Sequence, residues 1–227
     1  MFTKLFCLIF SIFLSTFAYN QMLISECDTK KMSYKKVIKY LKNDELKNLT
    51  YFSEIQPSLN DSSNICNFYF HNGTYTVNAN VDSIWQICIT TSPSQLWKGK
   101  MLGLSCVYNI NTNRMFYHSD QHFDTLETNQ IYFINLRINR FFNVAAALIV
   151  TNVDYVKKQI EFTYIKGNKS IGKQIVSLIG TDKNKTKIIH DTYYKSNSKF
   201  RDKRFYARFH QIAITDLHKR IDEYSMK

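Results

Sequence analysis

The chain has 227 residues, with 30 Lys and Arg against 18 Asp and Glu, and a formal charge of +12. Six glycines leave little material for a phosphate-cradling loop, and the basic stretches at 30–42 and 195–208 fall in no nucleic-acid motif, so neither a nucleotide nor a nucleic-acid partner is expected. The excess of base leaves open an anionic membrane surface as a partner, beside the plainer reading of a solvated, lysine-rich exterior.

Residues 1–18, MFTKLFCLIFSIFLSTFA, hold one lysine, an apolar run from Leu5 to Leu14, and small or polar residues up to Ala18. That is the pattern of a secretory signal peptide cleaved near Ala18, and the run is short for a spanning helix. The mature protein is therefore expected to be secreted or periplasmic. Four cysteines follow, Cys27, Cys66, Cys88 and Cys106. In an oxidising compartment they admit three connectivities. The favoured pair is Cys27–Cys66, which flanks an N-terminal extension, while Cys88 and Cys106 sit in apolar surroundings as buried thiols. No CxxC spacing points to zinc, and no metal or cofactor is expected.

Residues 19–71 form that extension. Tyr34, Val37, Ile38 and Leu41 recur at helical spacing among lysines, and PSLNDSSN at 57–64 is turn chemistry. The main domain, 72–227, opens with a strand at 74–78. Asn80 then caps a helix carrying Ile84, Trp85, Cys88 and Ile89, and Ser92-Pro93 starts a second helix that Gly99 ends. After Gly99 the period is two. Strands are expected at 102–108, 115–118, 130–138, 146–153, 159–165, 173–179 and 187–194. The turns joining the last four are too short for a parallel return, so these strands form an antiparallel meander. A long helix follows at 200–224, with Ser198 as its cap and Asp202 in its first turn. Its apolar arc, with Phe205, Tyr206, Phe209, Ala213, Leu217 and Tyr224, is wide enough to need a large partner surface.

This order of elements resembles the START-like helix-grip superfamily, which includes polyketide cyclase-like and Bet v 1-like proteins. The local texture that carries the resemblance is VNANVDSIWQICITTSPSQLW, VTNVDYVKKQIEFTY and FRDKRFYARFHQIAITDLHKRI, within residues 74–227. The extension before His71 and an extra strand around Met115 depart from the simplest members. The resemblance implies an α+β fold in which a curved antiparallel sheet wraps the C-terminal helix and leaves a cavity. Such domains commonly bind sterols, phospholipids, flavonoids or other apolar small molecules.

Within that cavity the expected ligand-binding residues are Tyr164, His190, Tyr194, Phe209, His210, Ala213 and Leu217. His190 lies in phase with Ile188, Thr192 and Tyr194 on the last strand, and His210 lies on the apolar side of the helix. His218 is rotated from His210 by about 80°, toward the polar side, and lies about 12 Å along the axis, too far to share a metal. His190 and His210 read either as an acid–base pair or as polar groups that orient a ligand. The segment Gly167 to Gly172 reads as a turn at the cavity rim, and Asp216 and Arg220, one turn apart near the apolar arc, as a partly buried ion pair. No nucleophile signature occurs. The leading reading is an exported, non-enzymatic binder or carrier of an apolar small molecule or lipid. The alternatives are a cyclase, dehydratase or hydrolase using the histidines, and an envelope interaction module whose cavity is filled by side chains.

Overall fold

The computed structural model describes residues 21–42, 46–60, 64–120, 122–138 and 142–226; the leader-like segment at 1–18 lies outside them. Among the described residues no helix is long and apolar enough to cross a membrane. The elements are α1 (Lys35–Lys42), β1 (Tyr69–Val77), α2 (Val81–Thr90), α3 (Pro93–Leu96), β2 (Leu102–Asn109), β3 (Arg114–Tyr117), β4 (Gln130–Arg137), β5 (Asn143–Asp154), β6 (Gln159–Tyr164), β7 (Ser170–Asp182) and β8 (Lys185–Ser196). A C-terminal helix, α4, follows as Lys199–Arg201, a π-helical turn at Asp202–Tyr206, and Ala207–Ser225.

The eight strands form one antiparallel sheet in the order β1-β8-β7-β6-β5-β4-β2-β3. The punctuation expected from sequence is in place. The Asn80 side chain accepts from the Ser83 amide at 2.8 Å, and Asp154 closes the β5–β6 turn by accepting from the amides of Val156 and Lys157. β1 begins at Tyr69, ahead of the expected residue 74, and so crosses the expected boundary at residue 72. Asn72-Gly73 interrupts its alternation with turn-forming residues, and its outer positions are exposed, so the sequence pattern there is weak. The extra strand near Met115 is β3, an edge strand paired to β2. Register shifts at Leu104/Cys106, Val150/Asn152 and Gly180/Asp182 mark bulges, which bend a sheet and increase its twist.

The curved sheet is covered on both faces. On the concave side Trp85, Trp97, Tyr132, Phe162, Leu217 and Ile221 share one core with α2, α3 and α4. On the convex side the extension lays Val37, Leu41, Phe52 and Ile55 against Tyr108, Phe133 and Ile149. All eight residues of β2 are buried, because that strand has a cover on each face. The expected Cys27–Cys66 bridge is not formed: the four described cysteines are free, and Cys66 is exposed while Cys27 is buried. The Cys27 thiol faces the sheet beside the Cys106 thiol, 3.8 Å from the Met32 sulfur and 3.9 Å from the Tyr117 hydroxyl. Its burial under the extension, rather than its place in sequence, decides its neighbours.

α4 is anchored at both ends. Ser198 caps its start by accepting from the Arg201 amide, and the buried Asp202 carboxylate accepts from the Ser196 amide at 2.8 Å and the Ser196 hydroxyl at 2.6 Å. Further along, Ile214 lies against β1 at Gly73, where an added Cβ would stand 2.7 Å from its Cδ1. Asp216 and Arg220 do not pair as expected. Asp216 instead accepts from the amides of Met101 and Leu102, and Arg220 bonds Glu223 and the Lys98 carbonyl. Two amides meeting one carboxylate oxygen turn Asp216 toward β2, and Arg220 finds its charge partner at Glu223.

Phe52 is fully buried and stacks on Tyr108 with ring centroids 4.7 Å apart. Phe52→Ala is expected to destabilise the whole domain by about 3–5 kcal/mol, read by urea denaturation. A loss under about 1 kcal/mol would show the extension to be a dispensable attachment.

Candidate functional site: a cavity between sheet and helix

A cavity of about 300 Å³ lies between the concave face and α4. Phe209, Ala213 and Leu217 of α4 form one wall, and Leu102, Ile134, Leu136, Ala146 and Leu148 of the sheet form the other, with Trp97 and Met101 also in the lining. One side is polar: Tyr164, Gln174 and His190 on β6, β7 and β8, with Tyr206 and His210 from α4. The lining residues that are exposed mark the mouth. They are Phe142, 53 % exposed, beside Ile138 at the β4–β5 connection, Lys169 in the β6–β7 turn, and Phe205, 41 % exposed, on α4. Arg201 bridges this mouth, donating to the Lys169 carbonyl at 2.7 Å and the Ser170 hydroxyl at 3.1 Å. Gly167 and Gly172 take positive φ at either end of the turn, and Asn168 between them bonds Ala147 and receives the Tyr40 hydroxyl of the extension at 2.9 Å. The turn therefore rims the cavity.

Of the residues expected from sequence, Tyr164, His190, Phe209, His210, Ala213 and Leu217 line the cavity. Tyr194 does not. It has the right phase on β8, but the strand has by then run past the cavity and beneath the π-helical turn. There its ring stacks on Tyr206 at 3.6 Å and its hydroxyl donates to the Asp202 carbonyl. Sequence reasoning missed Gln174, Tyr206 and His218 as polar members of the site. Gln174 was readable from its phase with Val176 and Leu178 on β7. His218 was assigned toward the polar side of the helix and is instead buried, 2 % exposed, under the Tyr75 ring at 4.1 Å. The sheet grips α4 over a wider arc than the helical pattern implies, because β1 wraps its flank.

No protein-family model and no curated protein sequence matches the chain. Solved structures do. Norcoclaurine synthase from Thalictrum flavum in complex with dopamine and hydroxybenzaldehyde superposes with a TM-score of 0.52 at 14% identity, covering 74% of this chain and 95% of that one. The KanY protein superposes at 0.51 with 7% identity, covering 70% and 99%. A START superfamily protein from Mycobacterium smegmatis gives 0.49 at 12% identity, covering 69% and 97%. This chain has the START-like helix-grip fold.

In this helix grip the histidines form a connected array. His190 Nδ1 lies 3.2 Å from His218 Nε2, and His190 Nε2 lies 2.9 Å from Gln174 Oε1. His210 Nδ1 lies 3.3 Å from His71 Nδ1, and its Nε2 lies 3.4 Å from the Thr192 hydroxyl. The His190 ring on β8 and the His210 ring on α4 meet edge to face at 5.4 Å. Burial first, and neighbouring imidazoles second, hold His190 and His210 well below the ordinary histidine value and His218 at about 3.

These three imidazoles stay neutral in the fold while the unfolded chain takes up protons near pH 6.5. Their contribution to stability is full above pH 6.5 and is lost as pH falls toward the folded values, since the unfolded state binds more protons there. Each adds a slope of about 1.4 kcal/mol per pH unit in that window. Urea denaturation between pH 7 and pH 5 is expected to show the midpoint falling with acid. His218→Gln is expected to remove one proton's share of that slope. An unchanged slope in the variant would mean that His218 is charged in the fold.

Proposed function

We propose that this chain is an exported protein that binds an apolar small molecule in the cavity beneath α4. The observation that carries this reading is the cavity itself: about 300 Å³, walled by aliphatic and aromatic side chains, open at one end, with a few polar groups gathered on one side. Sites for drug-sized ligands run from about 300 to 1,000 Å³, so the occupant is small, of one or two rings or a short chain, and not a whole two-chain phospholipid. A structural neighbour holds dopamine and hydroxybenzaldehyde, which are small aromatic molecules of this kind. Export rests on the leader-like residues 1–18.

The histidine geometry favours binding over acid–base catalysis. Both ring nitrogens of His190 and of His210 already face partners within the protein, and both bases are held well below neutrality. A general base needs a free nitrogen and an affinity for protons near the working pH. An open cavity also speaks against an interaction module with a solid core. Ala213 lies against the cavity on the helix wall, so Ala213→Trp is expected to fill it. Titration with 2-naphthol, followed by its fluorescence, is expected to show one saturable site in the native protein and none in the variant. Equal binding by both would place the ligand elsewhere.

The mouth supports a second element of the proposal, collection of the ligand at an anionic membrane surface. Phe142, Phe200 and Phe205 are exposed there, 53 %, 67 % and 41 %, and Lys199, Lys203, Arg204 and Arg208 are exposed on the same helix. Aromatic side chains inserted at the headgroup level and basic ones above them are the chemistry of interfacial binding. Co-sedimentation with phosphatidylglycerol vesicles is expected at low salt, weakening as salt rises. Phe200→Ser with Phe205→Ser is expected to abolish it. Binding that ignores both salt and the double substitution would remove the membrane from the proposal.

A further inference from the structure

The polar side of the cavity has a direction, set by where its protons must lie. His218 is buried, and its Nδ1 meets no polar atom among the described residues. A neutral imidazole has one N–H and one lone pair. A buried N–H without an acceptor is the rarer and costlier orphan, so the bare nitrogen is Nδ1 and the proton sits on Nε2. That proton is donated to His190 Nδ1 at 3.2 Å. His190 must then carry its own proton on Nε2, which donates to Gln174 Oε1 at 2.9 Å. With its carbonyl engaged, Gln174 turns its amide nitrogen to the Tyr164 hydroxyl at 3.2 Å.

Tyr164 and Tyr206 bond each other through their hydroxyls. Two phenols own two protons, and only one lies between the two oxygens. Gln174 adds a donor to the pair and takes no proton from it. One phenolic O–H is therefore left without an acceptor among the described residues, whichever phenol donates to the other, and both rings line the cavity. Burial raises the pKa of both phenols, so both remain donors at ordinary pH. The stack of Tyr206 on Tyr194 at 3.6 Å fixes the ring that presents the pair.

We propose that the Tyr164–Tyr206 hydroxyl pair is the polar recognition point of the cavity, and that the ligand is an apolar ring or short chain bearing a carbonyl oxygen that accepts the surplus proton. This rests on the cavity's being a ligand site. The opposite polarity would send one phenolic proton to Gln174 and leave the pair no surplus, but would orphan a buried N–H on His218.

Calorimetric titration with 1-tetralone and tetralin, a ring ketone and its hydrocarbon, separates the possibilities. The ketone is expected to bind about tenfold more tightly to the native protein, the worth of one net hydrogen bond. In Tyr164→Phe/Tyr206→Phe the preference of the ketone over tetralin is expected to vanish. Both tyrosines are changed because either alone can supply the proton. The carbonyl stretch of bound 1-tetralone is expected to fall in frequency in the native protein, a readout that needs no variant to fold. Equal affinities, a preference that survives in the double variant, or an unshifted stretch overturns this proposal and leaves the cavity a ligand site. Binding of neither probe overturns the cavity reading, and this proposal with it.

Discussion

A straight helix held at separate points against a curved sheet cannot touch it everywhere. α4 is fixed at its start by Asp202 on Ser196, in its middle by Ile214 against the bare backbone of Gly73, and beyond that by Asp216 on the amides of Met101 and Leu102. The bulges in β2, β5 and β7 bend the sheet away between those anchors. The cavity is the space that remains. Its volume follows from the anchors and the curvature, and its apolar character from the alternation of residues on the concave face.

The same constraint explains the extension. A strongly curved sheet exposes an apolar convex face unless something covers it, and β2, β4 and β5 carry large side chains on both sides. Phe52, Val37 and Leu41 supply the cover, and Tyr40 reaches past it to Asn168 at the rim. The extension therefore belongs to the core that holds the sheet's shape, and through Asn168 it steadies one lip of the mouth.

Polar groups in such a cavity are costly unless each finds a partner. Here they are chained across four elements, from His218 on α4 through His190 and Gln174 to Tyr164, and back to α4 at Tyr206. Neutral imidazoles suit that chain, since His190 accepts at one nitrogen and donates at the other, His218 donates from Nε2, and burial keeps both neutral. The one surplus donor belongs to a pair of rings that line the cavity.

Much of the fold was legible in the sequence, because it is written in local signals. Period-two alternation located seven of the strands within a few residues, Asn80 and Ser198 marked helix starts, and short polar turns forced antiparallel neighbours. Those signals depend only on residues close in the chain. The first strand was blurred where Asn72-Gly73 imitates a turn, and that glycine's purpose, close approach of Ile214, exists only across 141 positions of sequence. The site was half legible: Phe209, His210, Ala213 and Leu217 follow from helical phase, and Tyr164 and His190 from strand phase. Tertiary structure decided the rest. Strand phase could not say that β8 leaves the cavity before Tyr194, nor helical phase that β1 wraps far enough to bury His218. Which thiol faces Cys27 was set by the fold of the extension over β2. Sequence determined the elements and their polarity, while the anchors and curvature that turn them into a cavity arise only when distant segments meet.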